Sequence, residues 1–207
     1  MAYFPMCISL ENSYIILVGE GTSALEKLQV LLPFGSTIHL FTENGFTEKM
    51  WDNHPQLKRF RRTLTVNDLE TSPHPAFVVV ADTDFSEKER ISTLCRTRNI
   101  PINVVDVPAL CSFYFPSIIQ KGDLIVSVST GGKSPGAAAY LRRTIEPEIP
   151  DRADDILEWL SEIRTNCNPY LSSDKRRAFL KQVVSEAFQK NKPLTTNEVQ
   201  TILDSFL

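Results

Sequence analysis

Gly19-Glu20-Gly21-Thr22-Ser23-Ala24 follows the apolar run Tyr14-Ile15-Ile16-Leu17-Val18 and opens a helical stretch from Leu25 to Phe34. A Gly-x-Gly-x-x-Ala spacing at a strand-to-helix corner is the pattern that receives a dinucleotide pyrophosphate. Gly19 permits the tight turn, Gly21 lets the main chain approach the ligand, and Ala24 keeps the helix close to its strand. Free N–H groups at the helix start, together with the positive end of its dipole, then face the phosphates. The plainer alternative is a tight turn with no ligand.

Three further places carry residues able to do chemistry. About twenty residues beyond a glycine corner, an acidic group often meets the adenosine ribose. Glu43 stands there, and no Lys or Arg follows before Lys49, which favours NAD over NADP; a solvated loop carboxylate is the other reading. Asp106, in Asn103-Val104-Val105-Asp106-Val107-Pro108, directly follows an apolar strand. A partly dehydrated carboxylate at that end of an α/β sheet borders the ligand crevice and can exchange a proton. Asp also forms turns ahead of proline, and spacing alone leaves both readings open. Thr130-Gly131-Gly132-Lys133-Ser134-Pro135 is a second glycine loop, whose amides suit an anion or simply turn the chain into a helix. It lacks the spacing of a Walker A loop.

Other candidates are weaker. His39, His54 and His74 are far apart and share no metal-ligand spacing, so His39 reads as structural within its strand. No Ser-His-Asp or Cys-His arrangement is present, and no metal is implied. Lys58-Arg59, Arg61-Arg62 and Arg142-Arg143 read as solvated charges, unless Lys133 or the Arg142 pair meets a polyanionic substrate.

The elements that must hold these residues alternate along the first half of the chain. Residues 13–18, 37–41, 57–63, 76–81 and 101–105 read as strands. Helices are expected over 22–33 and from the capping-box spacing Ser86-Glu87-Lys88-Glu89 to Thr97. Such alternation predicts an α/β fold with a doubly wound parallel sheet. After Pro108, residues 112–119 and 124–129 flank a turn at 120–123, predicting a hairpin, and a helix follows over 136–145. Pro147 and Pro150 end it, and the remainder reads as helical. Ser172 or Ser173 caps one of these helices, and Thr195 with Glu198 forms a capping box for the last.

The 207 residues carry a formal charge of -3 and are 42% hydrophobic, an ordinary composition for a soluble globular protein. Mild acidity speaks against nucleic acid as a partner. The start MAYFPMCISL has no basic region or long apolar stretch, so no secretory signal is expected. No apolar run is long enough to span a bilayer. Cys7, Cys95, Cys111 and Cys167 are scattered, without a CxxC pair, as free thiols of a reducing cytoplasm would be.

Taken together and in order, GEGTSA at 19–24, Ala81-Asp82-Thr83-Asp84, NVVDVP at 103–108, Phe113-Tyr114-Phe115-Pro116 and STGGKSP at 129–135 resemble the precorrin-2 dehydrogenase family, the dehydrogenase/ferrochelatase module of siroheme synthases. The likeness covers roughly residues 1–150. It implies a Rossmann domain over 1–112, a dimerisation segment over 113–147 and a helical domain over 148–207, assembled as a homodimer. It implies NAD-dependent oxidation of precorrin-2 to sirohydrochlorin, with Asp106 as acid/base. NAD would meet Gly19, Glu20, Gly21, Thr22, Ser23, Ala24, Glu43, Asp82 and Thr83. The substrate's carboxylates would meet Thr130, Gly131, Gly132, Lys133, Ser134 and Arg142. Phe113 and Phe115 offer apolar surface beyond the needs of one core, in keeping with pairing. Some members also insert ferrous iron with the same carboxylate. A non-catalytic NAD-sensing module is the alternative of another class. Two positions depart from the family: Lys88 stands where an Asn is usual, and Glu20 replaces a frequent Gly.

Overall fold

A computed structural model describes residues 3–43, 54–166 and 171–207. Lys49 and Cys167 lie outside the described residues. The chain divides into two compact units, Met1–Phe115 and Pro116–Leu207.

The first unit is built on five short strands: β1 (Tyr14–Val18), β2 (Thr37–Phe41), β3 (Leu57–Phe60), β4 (Phe77–Val80) and β5 (Ile102–Val104). All pair in parallel, in the order β3-β2-β1-β4-β5. Chain direction across the sheet therefore reverses between β1 and β4, the switch point at which open α/β sheets bind ligands. β1 and β4 are buried along their whole length, which is why they read as continuous apolar runs rather than alternating ones. On one face Ile16, Val18, Val78 and Val80 pack with Ile91 and Cys95 of α2 (Phe85–Thr97). On the other, Ile15, Leu17, Phe77 and Val79 pack with Leu28 and Leu31 of α1 (Thr22–Leu31). Each fully buried aliphatic side chain stabilises the fold by about 1.5–3 kcal/mol, so this two-sided core is what fixes the strand ends.

Several boundaries differ from expectation for local reasons. Helix α1 stops at Leu31 and tightens into a short 3-10 turn over Leu32–Phe34, because Pro33 lacks an N–H. Helix α2 is capped by Asp84, whose carboxylate accepts the Glu87 amide at 2.8 Å; Ser86 only supports that cap, donating to it at 2.7 Å. The third strand ends at Phe60 instead of continuing to residue 63, since Arg62 leaves the sheet to pair with Asp68. His39 is structural, stacked on Tyr14 with ring centroids 4.1 Å apart, and burial lowers its pKa with Lys58 pushing the same way. Phe113 and Phe115 are half-buried against Phe77, at 5.3 and 6.1 Å between centroids. They fill the first unit's core and are not surplus surface.

The second unit begins with an antiparallel hairpin, β6 (Ser117–Lys121) and β7 (Leu124–Val128). Lys121 pairs with Leu124, so the connection is the two residues Gly122-Asp123, shorter than the four expected. The Asp123 amide donates to Asp154 at 2.8 Å. Helices α3 (Pro135–Ile145), α4 (Ala153–Thr165), α5 (Ser173–Gln189) and α6 (Thr196–Asp204) follow. Ile156, Phe179, Val183, Ala187 and Ile202 form the core of the last three. The predicted capping box at Thr195 and Glu198 is formed in both directions. Ser172 occupies the cap position of α5 without a side-chain bond.

Among the described residues, no helix is long and apolar enough to cross a membrane and no group of His, Cys, Asp and Glu is disposed to hold a metal. Cys7, Cys95 and Cys111 are free thiols, and burial pushes that of Cys95 up to about 12.

Candidate nucleotide site

The glycine corner sits at the switch point, wedged between its neighbours. The Gly19 amide donates to the Phe41 carbonyl at the end of β2, at 3.0 Å. On the opposite side a Cβ at Gly19 would lie 1.9 Å from the Ala81 carbonyl oxygen, and φ there is +136°. Only glycine fits. A Cβ at Gly21 would lie 2.7 Å from the Asp82 carboxylate, which explains the second glycine by close approach.

That carboxylate is part of the corner. Gly21 caps α1 but has no side chain to offer, so Asp82, just beyond β4, reaches across. Its Oδ2 accepts the Ala24 amide at 2.8 Å, and Asp82 adopts φ +50° to do so. The first four N–H groups of a helix have no partner within it. Among the described residues the Thr22 and Ser23 amides remain without one, pointing from the positive end of the dipole. The corner opens into a cleft of about 320 Å³. Gly19, Glu20, Glu43, Asp82 and Thr83 line it, so the structure gathers five of the nine residues expected to meet a nucleotide around one cavity. Thr22, Ser23 and Ala24 form the adjoining helix start, and Gly21 caps it.

Sequence reasoning missed Arg62. Read as a solvated charge, it is indeed exposed, and it also lines this cleft beside Thr42 and Thr63. Its guanidinium lies 5.1 and 5.3 Å from the ring centroids of Phe41 and Phe60, and it donates to both Asp68 oxygens at 2.7 Å. The signal lay in strand pairing: Phe41 is opposite Phe60, so the residues just past each strand share one edge.

Asp106 follows β5 at the same carboxyl end of the sheet. The Val107 amide donates to the Val104 carbonyl at 3.2 Å, closing a turn in which Asp106 has φ +64°. The turn-forming reading is therefore correct as local geometry, and it aims an acidic side chain away from the strand. The carboxylate is exposed rather than partly dehydrated, and it accepts no hydrogen bond from the described residues. Dehydration would have to come from whatever binds over it. Lys88, at the family's Asn position, donates from Nζ to the Val105 carbonyl at 3.4 Å and so steadies the turn.

Lys27 of α1 also escaped notice. Its ammonium lies 4.8 Å from the Phe115 ring centroid. Burial lowers its pKa, while Glu26 and Asp106 oppose that shift, so Lys27 and Asp106 lie within electrostatic reach. Half-buried lysines of this kind concentrate at functional sites.

The residues expected to hold substrate belong to the second unit. Thr130 closes its own loop, donating to the Ser134 carbonyl at 3.0 Å and accepting the Ser134 amide at 3.1 Å. The Gly131 amide is bonded to Ser129 and that of Lys133 to the Thr130 carbonyl. Three of the amides expected to receive an anion are thus satisfied within the loop. Ser134 caps α3 through the Ala137 amide. Lys133 is exposed, whereas Arg142 is bound at 2.6 Å to Glu146, one turn on.

A parallel sheet whose glycine corner and open helix-start amides meet at the switch point defines a dinucleotide-binding α/β protein. Residues 6–117 match the family described as putative NAD(P)-binding, and the chain belongs to that family. The siroheme synthase of Nitrosomonas eutropha is 30% identical over 181 residues, covering 86% of this chain and 37% of that protein. The siroheme synthase of Methylobacillus flagellatus is 31% identical over 183 residues, covering 86% and 38%. The chain thus spans less than two fifths of the length of these curated relatives. A solved structure, "SirC, precorrin-2 dehydrogenase", matches with a TM-score of 0.75 over 99% of this chain and 98% of that one, at 18% identity, and shows a shared fold. The likeness read from the sequence motifs is therefore found again both in sequence relatives and in architecture.

Proposed function

We propose that this chain oxidises precorrin-2 to sirohydrochlorin, using NAD held at the Gly19–Ala24 corner. The observation that carries the reading is a pair of open amides, Thr22 and Ser23, on the same sheet edge that presents the Asp106 carboxylate. The corner fits a pyrophosphate, since the Thr22 and Ser23 amides are open at the positive end of the α1 dipole. NAD, when bound, supplies the hydride acceptor.

The chain's own residues do the rest. Gly21, Thr22 and Ser23 bind the pyrophosphate by main-chain contacts, Gly19 forms the tight turn that presents them, and Glu43 meets the adenosine ribose. Asp106 takes the proton that leaves the macrocycle as its hydride departs. Exposure suits that role, since it leaves the carboxylate open to an incoming substrate. Lys133, exposed on its loop, is left to meet substrate carboxylates. Fixing the two reactants in line supplies much of the acceleration in such reactions.

The chain acts in this reading as a homodimer in the reducing cytoplasm, where Cys7, Cys95 and Cys111 stay as thiols. The pairing surface is the second unit's hairpin and α3, which expose Ile125, Tyr140, Leu141 and Ile145.

The test is NADH formation when purified protein is mixed with precorrin-2 and NAD. Appearance of NADH with sirohydrochlorin supports the reading; sirohydrochlorin formation without NADH, or no reaction, removes it. Adding ferrous iron to the product and watching for the siroheme spectrum separates a pure dehydrogenase from one that also chelates.

A further inference from the structure

Arg62 is the only cation among the described residues that line the cleft, where Glu20, Glu43, Asp82, Asp84 and Glu87 contribute carboxylates. It stands two residues past Phe60, as Glu43 stands two past Phe41, and Phe41 pairs with Phe60 across β2 and β3. Arg62 and Glu43 therefore occupy matching places on one edge of the sheet, where the adenosine ribose of a dinucleotide is received. An arginine there ordinarily accommodates a ribose 2′-phosphate.

This arginine is detained. Both terminal nitrogens donate to Asp68, at 2.7 Å each, in a parallel bidentate pair, and the guanidinium lies over the Phe41 and Phe60 rings. Asp68 is itself locked in place by accepting the Thr65 amide at 2.8 Å and the Thr65 hydroxyl at 2.7 Å. Its carboxyl is held down at about 2, chiefly by Arg62, so the pair persists throughout the neutral range.

We infer that the Arg62–Asp68 pair is a selectivity device: Asp68 engages both terminal nitrogens of the one guanidinium that lines the cleft among the described residues, which would otherwise recognise a 2′-phosphate, leaving Glu43 to face an unphosphorylated ribose. The inference rests on the dinucleotide reading above and adds to it the residues that discriminate NAD from NADP. A phosphorylated ribose entering this cleft meets carboxylates and a guanidinium whose terminal nitrogens both already donate to Asp68. Rejection is then electrostatic, and releasing Arg62 weakens it.

The experiment measures NADH and NADPH binding by nucleotide fluorescence in the full chain, for wild type, Asp68→Asn and the double variant Arg62→Ala/Asp68→Asn. Wild type should bind NADH more tightly than NADPH. Asp68→Asn keeps an acceptor for the Thr65 amide while removing the charge that detains Arg62. It should narrow the NADH preference by about tenfold or more, mostly through tighter NADPH binding. The double variant should lose that gain. Asp68→Ser, which also keeps an acceptor oxygen, replaces Asp68→Asn if circular dichroism shows the latter unfolded. A folded variant at Asp68 that binds NADH and leaves the preference within twofold of wild type overturns the inference alone. Wild-type protein that binds neither nucleotide overturns it together with the dinucleotide reading.

Discussion

The carboxylate of Asp82 accepts the amide of Ala24 at 2.8 Å, so the strand on one side of the switch point caps the helix that begins on the other. The bond solves a problem set by the glycine corner. Gly21 cannot carry a side chain, because a Cβ would strike Asp82, and therefore cannot cap α1 itself. Asp82 takes the third amide and leaves the first two open.

Replacing Asp82 tests that division. Asp82→Ala should cost about 1 kcal/mol of stability, the usual worth of a helix cap, read from the urea midpoint. Asp82→Asn keeps an acceptor and should cost less. It also removes a negative charge beside the phosphate site, so NADH should bind at least as tightly as to wild type.

Gly19→Ala is expected to be far more damaging. The new methyl group would overlap the Ala81 carbonyl, and φ of +136° is strained for any L side chain. A loss of roughly 3 kcal/mol or more, with NADH binding abolished, is expected. Denaturant titration of the variant beside Gly35→Ala gives the comparison, since a Cβ at Gly35 meets nothing within 4 Å although φ is +74°.

Lys27 gives a prediction of opposite sign. Burial lowers its pKa below the unfolded value, so folding disfavours its charged form. Its contribution to stability improves as pH rises through the lowered value toward 10.5. Lys27→Met should therefore unfold at higher urea than wild type near neutral pH, and the gain should shrink as the buffer becomes strongly alkaline. A lower midpoint would show that the contact with Phe115 outweighs the desolvation.

Much of the first unit was legible in the sequence because parallel strands buried on both faces must be continuous apolar runs. β1 and β4 are such runs, and Gly-x-Gly-x-x-Ala marked the corner between β1 and α1. Their spacing carried the fold class. Side-chain geometry was less legible. Arg62 looked like one of a solvated basic cluster, and only the pairing of Phe41 with Phe60 brings it beside Glu43. The cap on α2 was read from Ser86 when Asp84, two residues earlier, performs it. Burial at Asp106 was misread as well: a residue that ends a strand can leave the core within one turn, as φ of +64° makes it do.

Acid titration offers an independent check on the Arg62–Asp68 geometry. The folded pKa of Asp68 is depressed from 3.8 to about 2, so its contribution is present above about pH 4 and lost as pH falls toward 2. Thermal midpoints of wild type and Asp68→Asn should differ near neutral pH and converge across that window. A gap that persists at pH 2 would mean that the carboxylate's charge is not what stabilises the turn.

The most direct measurement pairs turnover with binding in Asp106→Asn. Asn tolerates the left-handed backbone that Asp106 adopts, so the turn and the nucleotide corner should remain intact. The variant should bind NADH as wild type does and form NADH from precorrin-2 at no more than about a hundredth of the wild-type rate, the scale of a lost general base. Wild-type turnover in Asp106→Asn would contradict the account, because the proton would then have a different acceptor.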